Sequence, residues 1–145
     1  MTGARVATCV RVVAGVLRDT SGRVLIAQRP AGKPLAGFWE FPGGKLAAGE
    51  TDREALRREL AEELGVALQD CHPLLTLRHD YGERMVELAV YEVEYVGEPS
   101  GLERQALKWV ALAQLGTEAL LPADRPIVEA LLQRAVAPDA LIQER

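Results

Sequence analysis

Three glutamates near the middle of the chain are spaced so that their side chains could bind a metal ion together. Glu59, Glu62 and Glu63 stand at i, i+3 and i+4 of a segment with helical periodicity, so their carboxylates share about 100° of one helix face. Like charges at these spacings repel, at a cost of about 0.2–0.5 kcal/mol per pair in water. A hard divalent cation between the oxygens would reverse the sign of that interaction. The alternative is an ordinary solvated acidic face, which is what a bare E-x-x-E-E pattern usually indicates.

The residues around the three glutamates favour the metal interpretation. Gly43 and Gly44 precede the helix in a predicted tight loop, where a backbone carbonyl could join the metal shell. Glu50 stands just ahead of the helix, and Arg58 is placed to pair with a neighbouring carboxylate and hold it in position. Spacing, residue type and predicted secondary structure therefore agree on a divalent metal site.

The helix that would carry this site is predicted from its two ends and its apolar face. Thr51 is a favourable N-cap, and Glu54 three residues later completes a capping box. Gly65 suits the position that follows the last helical residue. One apolar stripe recurs every four residues at Leu56, Leu60 and Leu64. We predict a helix over residues 51–64.

Strands are predicted on both sides of this helix, and a second helix near the end. Before it, residues 6–17 and 23–28 are predicted to pair as a hairpin around the turn at 19–22, with a loop at 30–37 and a short extended piece at 39–41. After it, strands are expected at 74–77, 85–95 and 106–110, with a turn at 80–83. The last helix should open near Pro126 and end at Pro138. This order predicts an α/β class with α+β character: a mixed β-sheet sandwiched between helices, in a single domain over residues 1–145.

Composition limits the function classes that remain. The 145 residues are 48% apolar and 26% charged, which excludes a disordered chain. A net charge of −4 argues against binding a nucleic acid polymer, because that requires a basic surface. An acidic protein can still bind a triphosphate when metal ions supply the positive charge. No stretch has the roughly 20 apolar residues of a membrane span, no signal peptide is visible and the two cysteines match no metal spacing, so we expect a cytoplasmic protein.

Residues 44–66 resemble the Nudix box, G-x5-E-x7-R-E-U-x-E-E-x-G-U, where U is a bulky apolar residue. Every constrained position of the pattern is filled, by Gly44, Glu50, Arg58, Glu59, Leu60, Glu62, Glu63, Gly65 and Val66. The likeness extends beyond the box: residues 24–30, 39–45, 97–109 and 121–126 look like the MutT-type branch of that family. The resemblance implies the Nudix fold and covers most of the chain.

The resemblance also implies a reaction and the residues that perform it. MutT-type enzymes hydrolyse nucleoside triphosphates to the monophosphate and pyrophosphate with Mg²⁺ or Mn²⁺, by attack of water on the β-phosphorus, and so remove modified nucleotides from the pool. The implied metal ligands are the carbonyl of Gly43 and the carboxylates of Glu59, Glu62, Glu63 and Glu103. Glu59 and Glu103 are both candidates for the general base. Arg58 would orient a glutamate of the box, and Lys45 would assist the leaving phosphate.

The implied nucleotide contacts come from outside the box. Arg29 and Arg84 resemble residues that reach the nucleotide, and an arginine fork suits phosphates and base edges. Phe41 and Tyr81 could stack on a base, although packing in the core or in a loop is the more common role for such residues. Asp124 occupies a position that is typically Asn in relatives that prefer 8-oxo-dGTP.

Asp124 leaves the preferred base open. An ionised Asp only accepts hydrogen bonds, which suits the amino group of cytosine, and this segment looks like the bacterial CTP pyrophosphohydrolase branch. Oxidised guanine has an additional N7–H donor, and an Asp protonated by burial would act more like Asn. The substrate is therefore expected to be an oxidised nucleotide such as 8-oxo-dGTP or, alternatively, CTP, dCTP or a 5-substituted cytidine triphosphate.

A third possibility belongs to another class, a domain that binds oxidised nucleotides without hydrolysing them. Domains of that kind generally lose the carboxylates of the box, which this chain retains. The protein is expected to be a monomer or a homodimer.

Overall fold

In the described part of the chain, most elements before residue 111 are strands, and the last element is a long helix. The computed structural model describes the backbone of residues 8–143 and the side chains of residues 8–135. The strands are β1 (Thr8–Val16), β2 (Val24–Gln28), β3 (Trp39–Glu40), β4 (Gly43–Lys45), β5 (Ala67–Asp80), β6 (Arg84–Val96) and β7 (Leu107–Val110). The helices are α1 (Asp52–Leu64) and α2 (Arg125–Gln143), with short 3-10 helices at Leu112–Thr117 and Pro122–Asp124. Residues 6 and 7 of the predicted first strand lie outside the described residues.

The strands form two sheets. The larger has the order β4-β1-β6-β5, in which β1 and β6 run parallel and the other pairs antiparallel. The smaller is antiparallel, with the order β3-β2-β7. The predicted hairpin of β1 and β2 is wrong, because these strands belong to different sheets and a single bridge, Arg18 with Val24, joins their ends. The turn at Asp19–Gly22 does reverse the chain, but a turn residue pattern does not determine what the strands do beyond it.

Helices cover both faces of the strands, as the sequence predicted. Successive strand residues point to opposite faces, and on each face their side chains are buried against one helix. Residues packed with α1 include Val13, Leu25 and Ala89. Residues packed with α2 include Val16, Ile26 and Val90. The mixed sheet between helices is thereby confirmed.

Helix α1 has the predicted ends and an additional anchor to the sheet. Thr51 and Glu54 form both hydrogen bonds of the capping box, and Gly65 adopts the left-handed conformation with φ 73°. The carboxylate of Asp52, in the first turn, accepts two hydrogen bonds from Arg11 of β1, at 2.8 and 2.7 Å, and one from the hydroxyl of Tyr91 of β6. These contacts fix the helix on the strands that lie beneath it.

Two further elements extend beyond their predicted bounds. Strand β5 begins at Ala67 rather than at residue 74, because bulges after Leu68 and Pro73 break the alternation by which a strand is recognised. Helix α2 continues past Pro138 to Gln143; proline removes one backbone donor and favours a kink, but it does not have to end a helix. Within residues 8–143, no helix is long and apolar enough to cross a membrane.

Candidate active site

A cleft of about 650 Å³ brings together most of the residues that the sequence singled out. It lies between the ends of β1, β2 and β4, the acidic face of α1, the β5–β6 hairpin and the segment that precedes α2. Its lining includes Arg29, Phe41, Gly43, Lys45, Glu59, Glu62, Glu63, Tyr81, Glu103 and Asp124. Two of the predicted residues, Arg58 and Arg84, are not part of the lining.

The two glycines ahead of α1 are packed closely against their neighbours. They were expected in a loop but lie in β4, where Gly43 pairs with Ala14 and Gly44 with Val13. A Cβ on Gly43 would lie 1.9 Å from the carbonyl oxygen of Val13, and one on Gly44 would lie 2.3 Å from a carboxylate oxygen of Glu59. The backbone of β4 and the carboxylate of Glu59 are therefore in direct contact.

Arg58 holds the acidic side chains from behind rather than facing the cleft. Its guanidinium donates to both carboxylate oxygens of Glu50, at 2.7 and 2.8 Å, to Glu59 at 3.0 Å and to the carbonyl of Lys45 at 3.0 Å. It also lies 3.5 Å from an oxygen of Glu62. The Arg58 hydrogen bonds lower the pKa of Glu50 to about 2, so that this ion pair persists at all ordinary pH values. The arrangement fits the expected orienting role.

The carboxylates on the cleft side of α1 crowd one another. Burial, together with the neighbouring carboxylates of Glu59 and Glu103, raises the pKa of Glu63 to about 9. Glu62 is exposed, whereas Glu59 is half-buried. Carboxylates crowded at a cleft, with the guanidinium of Arg58 behind them, are electrostatically suited to a divalent cation, whose charge would offset their repulsion and favour the ionised form of Glu63.

The donor atoms present also match the chemistry of Mg²⁺ or Mn²⁺. Both ions prefer carboxylate and carbonyl oxygens, and the site offers carboxylates from Glu59, Glu62, Glu63 and Glu103 beside the backbone of Gly43. Glu103 comes from the exposed loop between β6 and β7, opposite the C-terminal half of α1. The residues therefore fit a divalent metal ion.

The other end of the cleft is lined by a buried acid. Asp124 is 6% exposed, and its Oδ2 accepts a hydrogen bond from the backbone N–H of Phe41 at 3.3 Å. Burial raises its pKa to about 7, and the charge of Glu40 adds to the shift. Phe41 is 4% exposed and its side chain belongs to the core below the cleft. Its backbone N–H binds Asp124, and the residue contributes to the cleft lining.

Glu40 is a cleft residue that the sequence reasoning missed. It accepts a hydrogen bond from Arg29 at 3.0 Å, and burial raises its pKa. Arg29 also donates to the carbonyl of Pro34 at 2.8 Å, which ties it to the loop at 30–37. The sequence signal for Glu40 is a charged residue between two aromatic residues, Trp39 and Phe41, in a short strand. Such a residue needs a partner of opposite charge, which here is Arg29.

The β5–β6 hairpin forms an exposed rim of the cleft. Tyr81 is 56% exposed and packs against His79, with ring centroids 4.4 Å apart; the sequence analysis had not singled out His79. Val86 and Leu88 of β6 line the cleft. Arg84 is exposed on the same face of the sheet but lies two residues nearer the tip of the hairpin. The structure thus places Tyr81 at the site and Arg84 beyond its edge.

Comparison with known proteins identifies the family of this chain. The family model for the NUDIX domain matches residues 13–130. The chain is 37% identical to the CTP pyrophosphohydrolase of Escherichia coli K12, over 89% of this chain and 96% of that protein. It is 36% identical to the 8-oxo-dGTP diphosphatase of Haemophilus influenzae, over 85% and 91%. The solution structure of the E. coli ORF135 protein superposes with a TM-score of 0.82 at 35% identity and covers 90% of this chain and 94% of that one. The chain therefore belongs to the Nudix hydrolase family.

Proposed function

We propose that this protein hydrolyses nucleoside triphosphates to the monophosphate and pyrophosphate with Mg²⁺ or Mn²⁺. The observation that carries the proposal is the convergence of Glu59, Glu62, Glu63 and Glu103 on one cleft. The likeness to relatives named 8-oxo-dGTP diphosphatase and CTP pyrophosphohydrolase supports it.

Each polar residue at this end of the cleft has a proposed task. The four glutamates and the Gly43 carbonyl would hold the metal, which supplies positive charge against the polyphosphate and lowers the pKa of bound water. Arg58, hydrogen-bonded to Glu59, would keep it in position, and Lys45, exposed at the cleft wall, would contact the leaving phosphate. Glu59 and Glu103 are both candidates to accept the proton from water.

For the base we propose oxidised guanine, as in 8-oxo-dGTP, with removal of damaged nucleotides from the pool as the role. The support is the burial of Asp124, which raises its pKa to about 7, so that near neutral pH a large share of this carboxyl is protonated. A neutral carboxyl both donates and accepts a hydrogen bond, as Asn does. Arg29 and Tyr81 would contact the rest of the nucleotide.

The alternative substrate is a cytidine triphosphate. It is favoured by the presence of an acid rather than an amide at position 124, because the ionised form accepts a hydrogen bond from an exocyclic amino group. The CTP pyrophosphohydrolase among the relatives supports it as well.

One set of turnover assays tests both levels of the proposal. Pyrophosphate release from 8-oxo-dGTP, CTP, dCTP and 5-methyl-dCTP is measured with Mg²⁺ and with EDTA. Release that needs Mg²⁺ and is lost in the Glu62→Gln/Glu63→Gln variant is expected. Nucleotide binding without any release would identify a binding domain instead. A strong preference for cytidine compounds that weakens in Asp124→Asn would overturn the oxidised-guanine assignment while leaving the reaction intact.

A further inference from the structure

The loop that carries Glu103 is docked on the C-terminal end of α1. The N–H groups of Leu102 and Ser100 donate to the carbonyls of Glu63 and Leu64, both at 3.0 Å. These carbonyls belong to the last turn of the helix, where no partner exists within the helix itself. The loop therefore completes the helix end and at the same time brings Glu103 to the face of α1 that carries Glu63.

Gln105 links this loop to the helix through both ends of its side-chain amide. Its Nε2 donates to the carbonyl of Glu63 at 3.1 Å, and its Oε1 accepts from the N–H of Glu103 at 2.9 Å. One half-buried side chain thus connects the backbones of two proposed metal ligands. An amide is suited to this task because it offers a donor and an acceptor at once.

The backbone of the loop is constrained in the conformation that this contact requires. Arg104 has φ 65°, in the left-handed region, which costs a non-glycine residue about 1 kcal/mol. A Cβ on Gly101 would lie 2.2 Å from the carbonyl oxygen of Gln105, so the backbones of these two residues are in direct contact across the turn. Strained residues of this kind persist when surrounding contacts hold them, and they concentrate at functional sites.

We propose that Gln105 is a positioning residue that sets the carboxylate of Glu103 opposite Glu63, and that it acts on catalysis through Glu103 alone. The proposal rests on the proposed role of Glu103 in the hydrolysis. Gln105 lies in the cleft lining, but its amide is engaged by the backbones of Glu63 and Glu103, so its proposed effect on the metal and the phosphates is indirect.

A double-mutant cycle tests the proposal. Gln105→Leu and Glu103→Gln are made singly and together, and kcat, KM and the Mn²⁺ dependence are measured with the thermal midpoint of each variant. Loss of an outer hydrogen bond to a metal ligand typically costs about 10- to 100-fold in activity or metal affinity. We expect that loss for Gln105→Leu in the wild-type background and less than about a threefold change in the Glu103→Gln background. Gln114→Leu replaces an exposed glutamine outside the cleft lining. It is the matched control, and it should leave kcat and the Mn²⁺ dependence unchanged.

The outcomes separate the two proposals. If Glu103→Gln alone leaves kcat and the Mn²⁺ dependence unchanged, the role of Glu103 is wrong, and the inference about Gln105 is wrong with it. If Glu103→Gln is damaging but Gln105→Leu lowers activity equally in both backgrounds, Gln105 acts independently and only the inference is overturned. Should Gln105→Leu not fold, Gln105→Glu keeps the acceptor for Glu103 and loses the donor to Glu63. It is expected to give the same pattern in the cycle, and equal losses in the two backgrounds would again overturn the inference.

Discussion

Replacement of Gly44 by alanine should damage catalysis without damaging the fold. The added Cβ would lie 2.3 Å from a carboxylate oxygen of Glu59, and ordinary contact begins near 3.4 Å, so this carboxylate must move by about 1 Å. The atoms it meets are the end of a flexible side chain, which can move at little cost. A misplacement of about 1 Å at a reacting centre costs on the order of 100-fold in rate, or about 2.7 kcal/mol.

Two other glycines provide the comparison. A Cβ on Gly43 would meet the backbone of Val13 at 1.9 Å, whereas one on Gly116 would meet nothing within 4 Å. Backbone cannot yield as a side chain does, so Gly43→Ala should lose about 3 kcal/mol of stability, or roughly 10 °C in thermal midpoint. Gly116→Ala should stay within about 0.5 kcal/mol of the wild type and keep full activity.

The assay combines thermal unfolding with steady-state pyrophosphate release at saturating Mg²⁺ for the three variants. The expected pattern is Gly44→Ala folded and about 100-fold slower, Gly43→Ala destabilised, and Gly116→Ala unchanged. If Gly44→Ala hydrolyses nucleotides at the wild-type rate, the position of the Glu59 carboxylate does not matter, and its assignment as a metal ligand is refuted.

Three further predictions follow from the charges in the cleft. Arg58→Lys should weaken Mn²⁺ binding about tenfold, because one ammonium cannot replace the guanidinium fork that holds Glu50 and Glu59. The control Arg57→Lys, at an exposed position, should leave the affinity unchanged. Equal affinities of the two variants in a Mn²⁺ titration would contradict this. Asp124 has a folded-state pKa of about 7, above its ordinary 3.8, so its contribution to stability is fully present below about pH 4 and is lost as pH rises to about 7. The stability advantage of Asp124→Asn over the wild type should therefore grow by about 2.7 kcal/mol between pH 5 and pH 8. An equal pH dependence of the thermal midpoints of the two proteins would exclude this. The pKa of Glu63 is raised to about 9, so Mn²⁺ binding at pH 7 should release a proton, and calorimetric heats that do not depend on the ionisation enthalpy of the buffer would show that it does not.

The helix and the acidic face were predictable because their signals are local. The capping box of Thr51 and Glu54, the leucine stripe and Gly65 lie within one stretch of chain and depend on helix geometry alone. The site residues outside that stretch, Glu103 and Asp124, came from family resemblance, since nothing in their spacing indicates that the chain returns to the same cleft.

The errors concern contacts between distant parts of the chain. The valine-rich pattern of β1 predicts a strand but does not say which strand pairs with it, and in the structure that strand is β6. Glu40 and Gln105 were overlooked for a similar reason, because a polar residue in a short strand or loop gains its role only from the partner that folding brings to it, here Arg29 and Glu63.

The parallel pairing of β1 with β6 has a consequence for the order in which the molecule is assembled. Thr8 of β1 lies opposite Arg84 of β6. Strand β1 can therefore pair with β6 only after more than half of the chain has been synthesised. Helix α1 is made earlier, yet part of the surface that it covers is supplied by β6. Contacts between such distant segments slow folding. During synthesis, the apolar face of α1 therefore cannot be fully buried until β6 has been made.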